Sequence, residues 1–353
     1  MLYILLAILI FGVLIMTHEL GHFLTAKLFG VRVNEFSVCM GPAIFQKKIG
    51  ETTYALRCIP IGGYCAMEGE DEESEDPRAF TSASPWKRAI ILAAGSFMNF
   101  LTGLLILLVM HSAAAGFNTP VIADFYPECP LQSDDGLRIG DEFYKIDGQR
   151  VYLYSNVSML MSRNGTGVYD LVIRRDGKLV ELNDFPMERQ AYEQDGQTVY
   201  LYGIYFGQED KTVGTVIKHA WYSALDFART VWLSLSDLLK GMISIDDMSG
   251  PVGIVSVIAQ TGEASETTAA AAMNISYLAA FIAVNLAVMN LLPIPALDGG
   301  RIFFLVITWL IETVIRRKLN PKYEGYIHAA GMILLLGFIA FVTLKDIWRL
   351  FTA

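Results

Sequence analysis

Residues 18–22 of this 353-residue chain read His18-Glu19-Leu20-Gly21-His22. Histidines four positions apart share one face of a helix, about 6 Å apart along its axis. Both imidazoles can then reach one zinc ion, with Glu19 beside them as the general base of peptide hydrolysis. Such an ion still needs a third protein ligand and an open position for water. Residues 1–16 are apolar throughout, and 17–28 continue them, so His18, Glu19 and His22 belong to a membrane span. Ionisable groups at that depth are costly and mark a functional site. Two water-satisfied histidines on a soluble helix are therefore the weaker reading.

The third ligand is sought as a carboxylate at similar depth. Asp298 follows the uncharged stretch 269–292 and lies in Asn290-Leu-Leu-Pro-Ile-Pro-Ala-Leu-Asp298-Gly-Gly. Pro293 and Pro295 cannot continue a regular helix, and open backbone inside a bilayer is tolerated only when buried in protein or lining a wet cavity. The competing reading of Asp298 is an N-cap for a helix over 299–315, and His328 and Glu312 are rival ligands. Counting back from Lys27 at 1.5 Å per residue places His22 and His18 about 7 and 13 Å deep, in the cytosolic half of the bilayer. Zinc there would lower the pKa of water toward about 7. Glu19 would take that proton and return it to the leaving amine.

Composition agrees with a membrane location. Hydrophobic residues make up 53% and charged residues 18%, the latter against about 25% in soluble domains, and the mean hydropathy is +0.41. A net charge of -9 gives no support to nucleic-acid binding. The four cysteines have neither a disulfide framework nor paired zinc spacing. Apolar stretches at 1–28, 89–109, 269–292 and 327–344 are each long enough to span a bilayer. The first lacks the basic start and the cleavage site of a signal peptide, so it is expected to be a retained helix. Lysine and arginine concentrate in two connecting segments. One holds Lys27, Arg32, Lys47, Lys48, Arg57, Arg78, Lys87 and Arg88; the other holds Arg301, Arg316, Arg317, Lys318 and Lys322. Both should face the cytosol and both termini the outside.

Outside the spans, 43–67 has the alternation of a small β-hairpin, with turn chemistry at Gly50-Glu51 and Gly62-Gly63. An acidic loop follows at 68–76. From 121 to 182 the chain is rich in strand patterns, with a hairpin signal at Asp176-Gly177 and a short helix at 156–164. Its segment around Leu137, Ile139, Gly140, Asp141, Ile146, Asp147 and Gly148 resembles a PDZ domain. Helical spacing returns over 217–242, where Trp221, Leu225, Ala228, Trp232, Leu235 and Leu239 share a face suited to a membrane surface or another domain.

Taken together, these residues resemble the site-2 protease family of intramembrane zinc metalloproteases, in the bacterial regulator-of-sigma-E branch with a PDZ domain. The resemblance runs through His18–His22, Ile61-Gly-Gly-Tyr64, Gly95 to Asn99, the PDZ-like unit, Gly250-Pro-Val-Gly253 and 285–300. It implies zinc ligands at His18, His22 and Asp298, a catalytic base at Glu19, and substrate-holding asparagines at Asn285 and Asn290. It also implies that Gly62, Gly63 and Tyr64 belong to a membrane-associated strand that presents substrate. Relatives commonly show Gly-Pro where this chain has Gly95-Ser96, some have two PDZ units, and a Gly-Leu-Gly-Phe carboxylate-binding loop is not visible here. The implied role of the PDZ-like unit is to exclude bulky ectodomains.

The expected fold is a multi-pass α-helical membrane protein with four transmembrane helices, a small membrane-associated β-region and an inserted extracytoplasmic PDZ-like α+β domain. The segments are transmembrane helix 1 (1–29), the cytosolic β-region and acidic loop (30–88), transmembrane helix 2 (89–111) and the PDZ-like domain (115–206). An amphipathic helix and connecting segment (207–268), transmembrane helix 3 (269–300), a cytosolic segment (301–324) and transmembrane helix 4 (325–345) complete the chain. The expected activity is zinc-dependent cleavage of single-pass transmembrane proteins or peptides, such as trimmed anti-sigma factors or signal-peptide remnants. It would take place in the bacterial plasma membrane, with the lipid bilayer as the other partner. The alternatives are a catalytically inactive receptor or chaperone for transmembrane segments and a metal carrier. Glu19 speaks against the first, and the presence of a single histidine pair speaks against the second.

Overall fold

The computed structural model describes residues 1–70, 74–194, 197–244, 248–316 and 322–352. Residues 71–73 of the acidic loop, and Arg317 and Lys318 of the charge count, therefore lie outside the described residues. In chain order the helices are α1 (Leu2–Leu28), α2 (Pro85–Ser112), α3 (Tyr154–Arg163), α4 (Val213–Leu239), α5 (Pro251–Glu263), α6 (Thr268–Asn290), α7 (Asp298–Ile315) and α8 (Lys322–Thr352). The strands are β1 (Val33–Ile49), β2 (Thr52–Met67), β3 (Gly116–Phe125), β4 (Glu142–Ile146), β5 (Gln149–Arg150), β6 (Val168–Arg175), β7 (Lys178–Pro186), β8 (Gln190–Gln194), β9 (Gln197–Leu201) and β10 (Ile204–Asp210). Four helical stretches, Leu2–Leu28, Pro85–Ser112, Thr268–Asn290 and Gly325–Arg349, are long and apolar enough to cross a membrane. The chain divides into two compact units, residues 1–107 with 227–353, and residues 108–226.

In the first unit the helix ends follow local chemistry. Pro85 opens α2, where its missing N–H costs nothing, so Trp86, Lys87 and Arg88 are helical rather than a flank. Thr267 caps α6 by accepting from Ala270 N. The helix α5, which has no separate signal in the sequence, starts with Gly250 as cap and Pro251 in its first turn. Asp346 of α8 accepts from Gly250 N at 2.8 Å and Gly253 N at 2.9 Å, which satisfies orphan donors of that turn. The stretch 301–315, expected as part of a cytosolic connection, is helical in α7.

β1 and β2 are long bent strands. Residues 33–38 pair with 63–67, residues 43–49 pair with 52–57, and 35–38 also take partners from 53–56. The chain reverses between residues 57 and 63, since 53–56 run parallel to 35–38 and 63–66 antiparallel to them. The turn expected at Gly62-Gly63 falls at the end of this reversal, inside β2, where the φ of +85° at Gly62 suits a residue without Cβ. The stretch 63–67 has pairing partners only on its 33–38 side among the described residues. Cys65 and Met67 pack with Ala26, Val31, Val33 and Ile91 in one core cluster, which fixes this small sheet to α1 and α2.

The second unit is built on an antiparallel sheet in the order β10-β3-β4-β6-β7, with β5 paired to β4 and a separate β8-β9 hairpin. Leu137, Phe143, Ile146, Leu171 and Ile173 are buried between the sheet and α3 residues Val157, Leu160 and Met161. Asp176 and Gly177 take φ of +49° and +77°, the turn expected of that pair. On α4 the expected apolar face is left open at Trp221, Trp232 and Leu239, while Ala220, Ala224, Phe227 and Val231, outside the expected face, are buried.

Candidate metal centre

α1 is a continuous helix through His18-Glu19-Leu20-Gly21-His22, so the two imidazoles project from one face. Their Nε2 atoms lie 3.2 Å apart. Asp298 Oδ2 lies 3.1 Å from His18 Nε2 and 3.5 Å from His22 Nε2. Leu297, not Asp298, occupies the cap position of α7; Asp298 is in the first turn. Its Oδ2 is buried without a hydrogen-bond donor, so the capping reading fails.

These three atoms fit a zinc ion. Tetrahedral bonds of about 2.0–2.1 Å require ligand atoms roughly 3.3 Å apart, which is the spacing observed. A buried carboxylate oxygen without a donor, facing two imidazole nitrogens, is otherwise costly. No other group of three or more His, Cys, Asp or Glu side chains among the described residues comes together in this way. His328, the rival ligand, instead accepts a hydrogen bond at Nδ1 from Ala296 N at 3.3 Å. Glu312 is also absent from the cluster.

The scaffold around these atoms depends on close backbone approach. A Cβ on Gly21 would lie 2.9 Å from Gly95 N and against the Ala94 carbonyl, so α1 and α2 cross in contact, as small residues permit. A Cβ on Gly95 would meet His22 Nε2 and lie 2.6 Å from His18 Cε1. Gly95 is thus one wall of the centre. On the other side, Gly299 and Gly300 fit under the Leu291 and Ile294 carbonyls, and Gly331 of α8 packs on Pro295. This packing folds 291–297 back so that Asp298 points at α1, with Ala296 held at a φ of +82°.

Contacts that sequence reasoning missed hold the imidazoles. His22 Nδ1 donates to the Ile91 carbonyl at 2.8 Å, which fixes the tautomer with a bare Nε2. His18 Nδ1 lies 3.4 Å from the side-chain amide of Asn99. A carbonyl leaves no sequence signal. Asn99 left one, as a buried amide one helical turn beyond Gly95. Glu19, the residue after His18 on α1, receives a backbone hydrogen bond from Cys65 of β2. A Cβ on Gly63 would lie 3.6 Å from Glu19 Cγ. The predicted strand segment containing Gly62, Gly63 and Tyr64 therefore passes beside the predicted base. Asn285 and Asn290 are half-buried on α6.

Comparison with known proteins points the same way. A family described as Peptidase family M50 matches residues 6–338. A chain from Clostridium perfringens, whose name marks it provisionally as a zinc metalloprotease, is 35% identical over 347 residues, covering 98% of each chain. A chain from Clostridium acetobutylicum with the same kind of name is 36% identical over 348 residues, covering 98% of this chain and 97% of its own. The regulator of sigma-W protease RasP of Bacillus subtilis is 27% identical over 427 aligned positions, covering 98% of each.

Proposed function

Because the chain belongs to peptidase family M50, the site-2 protease family of metallopeptidases, we propose that it is a zinc-dependent intramembrane endopeptidase acting on single-span membrane proteins. The observation that carries this reading is the convergence of His18 Nε2, His22 Nε2 and Asp298 Oδ2 at the edge lengths of a tetrahedral site, with both histidines on a helix long and apolar enough to cross a membrane. His18, His22 and Asp298 hold the zinc. Bound there, zinc supplies positive charge that acidifies water and polarises a peptide carbonyl. Glu19 accepts the proton of the attacking water and returns it to the departing amine nitrogen. The Cys65 amide keeps its carboxylate turned toward the histidines.

Substrate enters this reading as an extended strand. A helical peptide bond is shielded by its own hydrogen bonds, so the scissile segment must unwind. Residues 63–67 offer an edge with no second strand partner among the described residues, open to main-chain pairing, next to Glu19. Asn285 and Asn290 are the further substrate-holding groups. The name of the Bacillus subtilis relative, a regulator of sigma-W protease, supports trimmed anti-sigma factors as a substrate class, with signal-peptide remnants as a second source of single spans. The second unit is read as a PDZ-like extracytoplasmic domain, with both termini outside and the centre in the cytosolic half of the membrane. Cys58 is exposed and Cys129 buried, so membrane-impermeant labelling should compare Cys58 with Ser133→Cys, a substitution at an exposed position. Labelling of position 133 alone in intact cells is expected; the reverse pattern rejects the orientation.

The deciding experiment compares wild type with Glu19→Gln for bound zinc and for cleavage of a co-expressed single-span protein. The variant should keep zinc and lose cleavage by about 10²–10⁴-fold, the contribution of a positioned base. Equal cleavage by both proteins removes Glu19 from the mechanism.

A further inference from the structure

Asn99 is 1% exposed on α2, a polar side chain inside a candidate membrane span, and its carboxamide has two neighbours. Nδ2 lies 3.4 Å from His18 Nδ1, and Oδ1 lies 3.3 Å from Thr17 Oγ1. Thr17 Oγ1 is also 3.0 Å from the Leu14 carbonyl. The two ends of a carboxamide are nearly isosteric, and which one is oxygen follows from the donors and acceptors around it.

With nitrogen toward His18, two conflicts arise. Thr17 has one hydroxyl hydrogen, yet two acceptors, Leu14 O and Asn99 Oδ1, would need it. His18 would accept at Nδ1 and carry its proton on Nε2, the atom that faces His22 Nε2 and Asp298 Oδ2. A half-turn of the amide removes both conflicts. Thr17 then donates to Leu14 O and accepts from Asn99 N–H, while Asn99 O accepts from His18 Nδ1–H. His18 thereby takes the tautomer that the Ile91 carbonyl imposes on His22.

We propose that Asn99 is a positioning residue for the metal centre: its carboxamide oxygen takes the Nδ1 proton of His18 and leaves Nε2 bare for zinc, while Thr17 sets which end of the amide faces the imidazole. The inference rests on the zinc reading above and adds the residues that prepare one of its ligands. Partners of this kind commonly contribute about 10–100-fold in metal affinity.

The test is zinc affinity of the purified full-length chain in detergent, measured by competition with a chromophoric chelator, together with the absorption spectrum of the cobalt-substituted protein. Asn99→Leu keeps the volume and removes the acceptor; it should weaken zinc about 10–100-fold and alter the cobalt spectrum. Asn99→Asp keeps an acceptor for Nδ1–H but loses the N–H that Thr17 accepts, so its loss should be clearly smaller than that of Asn99→Leu. Thr17→Val should cause a smaller loss than Asn99→Leu, and Thr17→Ser none. Unchanged affinity in Asn99→Leu overturns the proposal, and so does an equal loss in Asn99→Asp, because both outcomes reduce Asn99 to packing. If Asn99→Leu does not fold, the Thr17 pair decides, and equal affinities of the Thr17→Val and Thr17→Ser proteins overturn it. Wild type without stoichiometric zinc would reject the metalloprotease reading and this inference with it. An unaffected Asn99→Leu beside a zinc-binding wild type rejects only the inference.

Discussion

His18 and His22 reach the centre on a single continuous helix, whereas Asp298 reaches it from the first turn of α7 after the irregular stretch 291–297. The spacing of the histidines is enforced by the helical backbone of α1 itself. Nothing local enforces the place of Asp298. Pro295 rests on Gly331 of α8, Ala296 N donates to His328 Nδ1, and Gly299 and Gly300 admit the Leu291 and Ile294 carbonyls. One half of the centre is set by chain geometry and the other by packing between elements distant in sequence. Perturbations should therefore act unequally on the two halves.

The largest effect is expected from Gly95→Ala. Its Cβ intrudes on the donor atoms of both histidines, so even the geometrically secure half should fail, and zinc should be lost from the purified protein by metal analysis. Next comes Gly300→Ala, whose Cβ meets the Ile294 carbonyl. Overpacking of this kind typically costs about 1–3 kcal/mol, visible as a lower melting temperature. The zinc loss should exceed the roughly 10–100-fold of a missing outer partner, because a ligand itself is displaced. A Gly300→Ala protein with wild-type zinc affinity would end the contrast between the two halves.

His328→Leu should be milder. It deletes the acceptor for Ala296 N–H while leaving every ligand in place, so zinc affinity should fall by about 10-fold, the low end for an outer partner. The smallest effect belongs to Ala296→Gly. At a φ of +82° an alanine is strained and a glycine is not. Stability should change by less than about 1 kcal/mol, the relieved strain opposing the greater chain entropy of glycine, with cleavage unaltered. A large loss of cleavage in Ala296→Gly would mean that the alanine methyl, not the backbone, serves the site. Cys65→Pro sharpens the comparison from the substrate side. It removes the amide that holds Glu19 and should reduce cleavage while zinc content stays at the wild-type level.

Much of this architecture is legible in the sequence because hydrophobic length and helical spacing are one-dimensional properties. Four apolar stretches correspond to four candidate membrane helices, and His18 and His22 need only the pitch of a helix to be paired. Asp298 can be nominated, since a carboxylate beside two prolines after an uncharged span is costly unless it serves a site. The reversal at Gly62 is legible because φ freedom belongs to the glycine itself, but the pairing of 35–38 with strand segments on both sides is not. The helix α5 escapes a local reading because the side chain that accepts from its first turn is Asp346, nearly a hundred positions away. The buried face of α4, centred on Ala220 and Ala224, escapes too, because alanine carries a weak amphipathic signal beside two tryptophans.

The order of residues therefore determined which groups could bind a metal and that two of them stand one helical turn apart on an apolar helix. It could not determine that Asp298 Oδ2 comes within 3.5 Å of both Nε2 atoms, that Gly95 leaves room for them, or that Asn99 and the Ile91 carbonyl face their far sides. Those facts arise where α1, α2, α7 and α8 meet. Helix geometry is fixed by bonds between near neighbours, whereas close approach between helices is fixed by shape, which appears only once the chain has packed.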